Sequence, residues 1–308
     1  MSKRVLITGA SGMIGKSLKK AFLLKGYQVN VLSTKKINSR PDTSVRNFYW
    51  DPENNYIDIQ SLEGVNYIIN LAGSPITQRW TNWNKIKIIK SRVKSLEILS
   101  HTIKTHNFQV KKLISASAIG IYPDSMSNIY SEENTKFQDN SFLSSVVLKW
   151  EAAARSSGFE NLETTIMRIG VVLGKDGGAL PKIKKPINLY LGAIFSSGKQ
   201  WQSWIHIDDL ISMILYVLKN DIKGTINAVA PNPVTQHDFT MIMAKILKKP
   251  ILLPKIPALL LRLIFGEMVS ILINSHRVSA NKIKNLGFKF KYPELPMALQ
   301  DLLIEKTN

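Results

Sequence analysis

Apolar residues along the chain follow two alternating patterns. The runs Val5-Leu6-Ile7, Gln28–Leu32, Tyr67–Leu71, Lys112–Ser115 and Glu163–Ile169 are short, rich in β-branched residues and mostly apolar. They read as strands buried on both faces. Between them lie stretches with helical apolar spacing, at about Met13–Lys25, Asn82–Thr105 and Phe142–Ser156. Strands that alternate with helices predict right-handed crossovers and an α/β fold, a Rossmann-type doubly wound parallel sheet.

Beyond Val171 the rhythm changes. Gly174, Gly177, Gly178, Pro181, Pro186, Gly192 and Gly198 punctuate loops, followed by a helix at His237–Leu247, a Pro-bearing basic segment and terminal helices. This predicts a first domain over residues 1–170, to which 204–229 return, and a smaller α+β C-terminal lobe made of 171–203 and 230–308. Pro257–Ile273 (PALLLRLIFGEMVSILI) is the one membrane-like stretch. It is interrupted by Arg262, Gly266 and Glu267 and is shorter than the roughly 20 apolar residues a spanning helix needs. It reads as a buried or interface helix pair, with attachment to a membrane surface as the alternative.

Composition changes this picture little. The 308 residues are 44% hydrophobic and 20% charged, enough to bury a sizeable core. There is no cysteine, which excludes a disulfide scaffold, a thiolate metal site and a cysteine nucleophile. The five histidines are dispersed and none pairs at helical i, i+4 spacing, so no metal site is expected. Charge is more distinctive: 41 Lys+Arg against 22 Asp+Glu give +19. Such an excess raises nucleic acid or an anionic surface as a partner. The lysines are scattered among Asn and Ile, as an AT-rich genome would produce, so a solvated basic surface is expected and no specific nucleic acid. The N-terminus runs from Met1-Ser2-Lys3-Arg4 directly into a strand, without the features of an export signal, and a cytoplasmic location is the expectation.

The candidate chemistry begins where the first strand meets the first helix. In V-L-I-T-G-A-S-G-M-I-G, Thr8 leads into Gly9, Ser11, Gly12, Met13, Ile14 and Gly15, with glycines at spacing three and three. A dinucleotide diphosphate needs a tight turn, a backbone bare of side chains and a helix N-terminus presenting free N–H groups. This loop has the residues for all three, in the strand-to-helix context the motif demands. The residue that selects between NAD and NADP lies about 20 positions on, at the end of the second strand. Here stand Ser33-Thr34-Lys35-Lys36, with no acid to repel a 2′-phosphate. NADP is expected, with NAD less favoured.

With those residues in hand, the chain resembles the extended short-chain dehydrogenase/reductase superfamily. More narrowly it is similar to the atypical "epimerase family protein" branch, described as nucleoside-diphosphate-sugar epimerases with a C-terminal domain of unknown function. The segments that carry the resemblance include TGASGMIG at 8–15, NLAGSPI at 70–76, SRV at 91–93, SASAIGIY at 115–122 and FLSSVVLKWEAAA at 142–154. MRIGVVLGKDGGAL at 167–180, GKQWQSWIHIDDL at 198–210 and the stretch from Gly266 to Phe290 complete it.

The resemblance implies an edge of the cofactor site at Leu71, Ala72 and Gly73 and a catalytic hydroxyl at Ser117. Arg168, at the end of another strand, is a candidate cofactor-binding residue, since a guanidinium can clamp a phosphate or carboxylate, with a structural ion pair as the alternative. Superfamily enzymes pair a general-acid/base Tyr with a Lys four residues on. In the corresponding positions this chain has Phe142 and Val146, and Lys149 lies off the register. Loss of such a group forfeits about 10²–10⁴ in rate. Tyr122 is the candidate substitute acid. Arg79, Trp80, Trp204 and His206 are candidates for the substrate pocket, and Asp208 with Asp209 reads as cap and first-turn acid of the next helix.

Two functions fit this pattern. One is an NADP-dependent oxidoreductase or epimerase acting on a small polar substrate. The other is a non-catalytic NADP-binding regulatory or interaction protein with a protein partner, for example in cell division. An oligomer is compatible with either.

Overall fold

In the computed structural model, residues 3–36, 44–134, 139–160 and 162–304 are described. The main sheet is built from β1 (Arg4–Thr8), β2 (Gln28–Ser33), β3 (Val45–Asp51), β4 (Tyr56–Ile57), β5 (Tyr67–Asn70) and β6 (Lys112–Ala118). After the short β7 (Ile129–Tyr130) come two more of its strands, β8 (Glu163–Ile169) and, much later, Gly224–Ala228 at its edge. Read from that edge strand, the order is β8, β6, β5, β1, β2, β3, β4, and every pair except β3/β4 is parallel.

The strand order reverses between β1 and β5, so the loops leaving these two neighbours diverge and open a crevice at their C-terminal ends. Alternate residues of one strand serve the two faces. In β1, Val5 and Ile7 enter a core with Leu18 and Phe22 of helix α1 (Met13–Leu24), while Leu6 packs with Leu96 and Leu99 of α2 (Asn82–Thr105) and Trp150 of α3 (Phe142–Ala154). This two-sided burial explains why the strands are apolar throughout.

The second half of the chain forms smaller units. Strand β9 (Val171–Gly174) pairs antiparallel with β10 (Gly177–Gly178) and parallel with Trp204–His206, in a three-stranded sheet apart from the main one. Of residues 204–229, Gly224–Ala228 joins the main sheet, Trp204–His206 pairs with β9, and the helix Ile207–Lys219 packs into the core that holds Leu18 and Phe22. A third core gathers Leu173, Leu180 and Ile187 with Trp204, Phe239, Met243, Leu295 and Leu299. The 257–273 stretch is a helix pair, as expected, but one that is only partly buried. It forms two short helices, Ala258–Phe265 and Ser270–Ile273, joined by a single turn. Leu261 and Val269 are buried, whereas Leu259, Leu260, Leu263 and Ile264 face solvent. No helix among the described residues is long and apolar enough to cross a membrane.

Candidate functional site

The loop from Thr8 to Gly15 sits at the crevice. Gly9 has φ of +67°, and a Cβ there would lie 2.6 Å from the Leu71 carbonyl oxygen, so both its conformation and its space exclude other residues. A Cβ on Gly15 would stand 2.4 Å from the Gly9 carbonyl oxygen, which is why the helix can start so close beneath the turn. Thr8 ties the two sides of the crevice together. Its hydroxyl donates to Asn70 Oδ1 at 2.7 Å and accepts from the backbone N–H groups of Leu71 (3.0 Å) and Ala72 (3.1 Å).

Gly12 occupies the N-cap of α1 and supplies no side-chain acceptor, and the first turn carries no acid. The helix therefore begins with free N–H groups and the positive end of its dipole, which is the chemistry a diphosphate requires. The donor set fits a dinucleotide. The Met13 side chain itself points at the β9–β10 hairpin, where a Cβ on Gly174 would lie 2.5 Å from its sulfur. That packing places the glycine-rich hairpin against the start of α1, a contact that sequence spacing did not reveal. At the end of β2, Ser33 is half-buried and its hydroxyl accepts from the Lys35 N–H at 3.0 Å, while Thr34, Lys35 and Lys36 are exposed.

Arg92 is a further residue of the site. Its Nη1 donates to the Ser74 carbonyl at 3.1 Å and the Ile88 carbonyl at 3.0 Å, and the guanidinium lies 5.0 Å from the Trp150 ring centre. A Cβ on Gly73 would come within 3.1 Å of its Cζ. Arg92 thus props the loop that follows β5, and burial lowers its pKa to about 10. The signal in the sequence was the SRV segment at 91–93, which the pattern alone could not connect to Gly73.

Under the C-terminal ends of β6 and β8 lies a buried polar network. The Ser117 hydroxyl donates to Glu151 Oε1 at 2.8 Å. Arg168 grips the same carboxylate twice, Nε to Oε1 at 2.8 Å and Nη2 to Oε2 at 3.0 Å, and Arg155 approaches Oε2 at 3.3 Å. Arg168 Nη1 also donates to the Tyr122 phenol oxygen at 3.0 Å. Tyr122 lies 2.8 Å from Asn227 Oδ1 and 3.1 Å from the Ser131 carbonyl, stacked on Tyr130. Burial pushes the Tyr122 phenol up, against the opposing pull of Arg168 and Asn227.

Ser117, Tyr122 and Arg168 are therefore brought together, but in one buried network with Glu151 rather than around an open reactive centre. Burial alone would raise the Glu151 carboxyl; the hydrogen bond and charge of Arg168, with Ser117 and Arg155, outweigh it and hold the group below the usual carboxylate range.

The first turn of α3 lies beside the turn after Ser117, with a Cβ on Gly120 3.4 Å from Leu143 Cβ. Phe142 packs edge-on against Trp80 at 4.8 Å, and Val146 joins Trp80, Ile88 and Met268 in an apolar cluster. Lys149 is exposed on α3. Trp80 and Phe142 also line a cavity of about 410 Å³ with Arg262, Glu267, Ser270 and Asn274.

The other pocket candidates do not line this cavity. Arg79 is exposed on the loop before α2. Trp204 is fully buried in the third core, its indole N–H donating to the Asn232 carbonyl at 3.1 Å, so it packs rather than lines a pocket. His206 is 1% exposed and caps the helix Ile207–Lys219, its Nδ1 accepting from the Asp208 N–H at 3.0 Å. The cap is thus His206 and not an aspartate. Asp209 is buried and accepts the backbone N–H groups of Lys291 (2.8 Å) and Tyr292 (2.9 Å), clasping the C-terminal segment. No group of three or more potential metal ligands occurs among the described residues.

Residues 5–229 match the model of the NAD dependent epimerase/dehydratase family. The chain belongs to that family. Residues 256–302 match a second model, DUF1731, a domain of unknown function. An epimerase family protein of Staphylococcus saprophyticus is 37% identical over 98% of this chain and 99% of its own length. A human epimerase family protein solved with NADPH superposes with a TM-score of 0.86 at 28% identity, over 97% of this chain and 98% of that one. A nucleoside-diphosphate sugar epimerase from Corynebacterium glutamicum has a TM-score of 0.76 at 30% identity, and this chain spans 58% of it. Within the family, the present chain has the Rossmann-like sheet, the glycine loop and the smaller C-terminal lobe that such proteins combine.

Proposed function

We propose that this family member binds NADP(H) and transfers hydride between the nicotinamide and a small polar substrate, without the superfamily's Tyr/Lys proton relay. The observation that carries the reading is the uncapped, acid-free start of α1 beneath Gly9, together with the acid-free Ser33–Lys36 segment. In this assignment the N–H groups of residues 13–15 hold the diphosphate, Lys35 and Lys36 attract the 2′-phosphate, and Leu71 to Gly73 border the nicotinamide half. The NADPH in the structure of the human relative supports the same choice. The bound cofactor would supply the hydride. Arg92 would keep the 73–74 loop in place, and Trp80 with Phe142 would form an apolar wall that excludes water. Fluorescence titration tests the cofactor: NADPH binding tighter than NADH supports the assignment, and the reverse order overturns it. Oxidation of NADPH in the presence of a metabolite extract, followed at its absorbance maximum, tests the reaction.

A second reading is supported by the polar network. Ser117 spends its proton on Glu151, Tyr122 is fully buried, and Phe142 and Val146 are apolar. These positions favour a protein that binds NADP(H) and signals its occupancy to a partner. Cofactor binding without turnover would distinguish it.

A further inference from the structure

Charge is not evenly mixed over the C-terminal lobe. Residues 180–199 and 245–265 contain nine Lys or Arg and no Asp or Glu, in a chain whose overall ratio is 41 to 22. The two segments are neighbours in space. The Ile256 N–H donates to the Ile194 carbonyl and the Ser196 N–H to the Ile256 carbonyl, both at 2.9 Å, and Lys249 Nζ donates to the Tyr190 phenol at 2.9 Å. The second segment ends in the helix Ala258–Phe265, in which Leu261 is buried. The nearest following acid, Glu267, is engaged by Lys85.

The same two segments carry the chain's concentration of exposed aliphatic side chains. Leu189, Leu191, Leu252, Leu259, Leu263 and Ile264 are each between 58% and 73% exposed. Beside Leu189 a groove of about 510 Å³ adds Lys175 to Lys184 and Lys185. Aliphatic groups interleaved with uncompensated cations suit one kind of partner best. A second copy paired face to face would set nine cations against nine. A nucleic acid would leave the leucines without an apolar destination and offers its bases to aromatic rather than aliphatic side chains. An anionic lipid surface accepts both, leucines into the headgroup–acyl boundary and lysines among the phosphates.

We propose that this face attaches the protein peripherally to an anionic membrane surface. The inference does not depend on the cofactor assignment. It is tested by flotation of the full-length protein with vesicles of phosphatidylcholine alone and with about 30% phosphatidylglycerol. The expected result is at least about tenfold tighter binding to the anionic vesicles, weakened by added salt. The double substitution Leu259→Gln/Leu263→Gln should lower that binding about tenfold, with the fold checked by circular dichroism and thermal melting. Lys248→Glu/Lys249→Glu, on exposed or half-exposed positions, should do the same and serves if the leucine variant fails to fold. Three results overturn the proposal. They are no flotation with anionic vesicles at low salt, flotation unchanged by both variants, and concentration-dependent self-association abolished by the leucine variant without lipid binding.

Discussion

Arg168 and Glu151 form a two-pronged ion pair, 2.8 and 3.0 Å, in which both side chains are almost completely buried. The pair lies directly beneath Ser117, whose hydroxyl is its third member. Charges taken out of water this completely hold each other in place, and removing one strands the other.

Arg168→Met leaves the buried Glu151 carboxylate with only Ser117 and the half-exposed Arg155 as partners, so it is expected to lower the unfolding free energy by about 3 kcal/mol, the lower end for a broken buried pair. The double change Arg168→Met/Glu151→Met should recover much of that loss. Urea denaturation of the three proteins measures it. The pH dependence follows in sign: Glu151 has its folded-state pKa depressed, so its stabilisation is complete above about 4.5 and lost as pH falls through the folded-state value.

Gly9→Ala places a methyl group 2.6 Å from a backbone oxygen at a φ of +67°. The turn must shift, and the N–H groups behind it with it. NADPH affinity should fall at least about tenfold, roughly 1.4 kcal/mol, while the far-ultraviolet circular dichroism keeps its α/β shape. Isothermal titration calorimetry reads the change.

Lys35→Glu/Lys36→Glu puts carboxylates where the 2′-phosphate is assigned. Binding of NADPH should weaken by about tenfold or more and binding of NADH should change little, reversing the preference. Equal losses for both cofactors would remove the lysines from the 2′-phosphate assignment.

Two histidines are buried in a way that favours the neutral ring. Burial lowers the pKa of His276, whose Nε2–H donates to the Tyr122 carbonyl at 3.0 Å, despite the nearby Asp124. Burial lowers that of His206 as well, against Asp208, Asp301 and Asp209. The unfolded chain protonates both near 6.5, so their stabilising contribution is present above that pH and is lost as pH falls through the folded values. The melting temperature should drop between pH 7.5 and 5.5, and His276→Gln should flatten that dependence even if it lowers the starting value. A variant with the unaltered slope would assign the pH effect elsewhere.

How much of this was readable from the chain depends on the range of the interactions involved. The alternation of apolar runs and helical spacing, and three glycines between a strand and a helix, are local patterns with local causes. They were enough for the Rossmann-type sheet, the family resemblance and the candidate phosphate loop. Where side chains end up is a different question. Glu151 carries no signal in the sequence beyond its place on a helix, yet it meets Ser117 and Arg168 from 34 and 17 positions away. Trp204 and His206 read as pocket residues because of their neighbours in sequence, and the third core absorbs the one while a helix start uses the other. Arg92 shows its place only when α2 lies under Gly73.

The sequence by itself thus determined the layered α/β architecture and its glycine turn, because periodicity and backbone sterics act over a few residues. Tertiary structure alone decided which hydroxyl meets which carboxylate and which leucines remain in water, because burial is set by elements that meet only after folding.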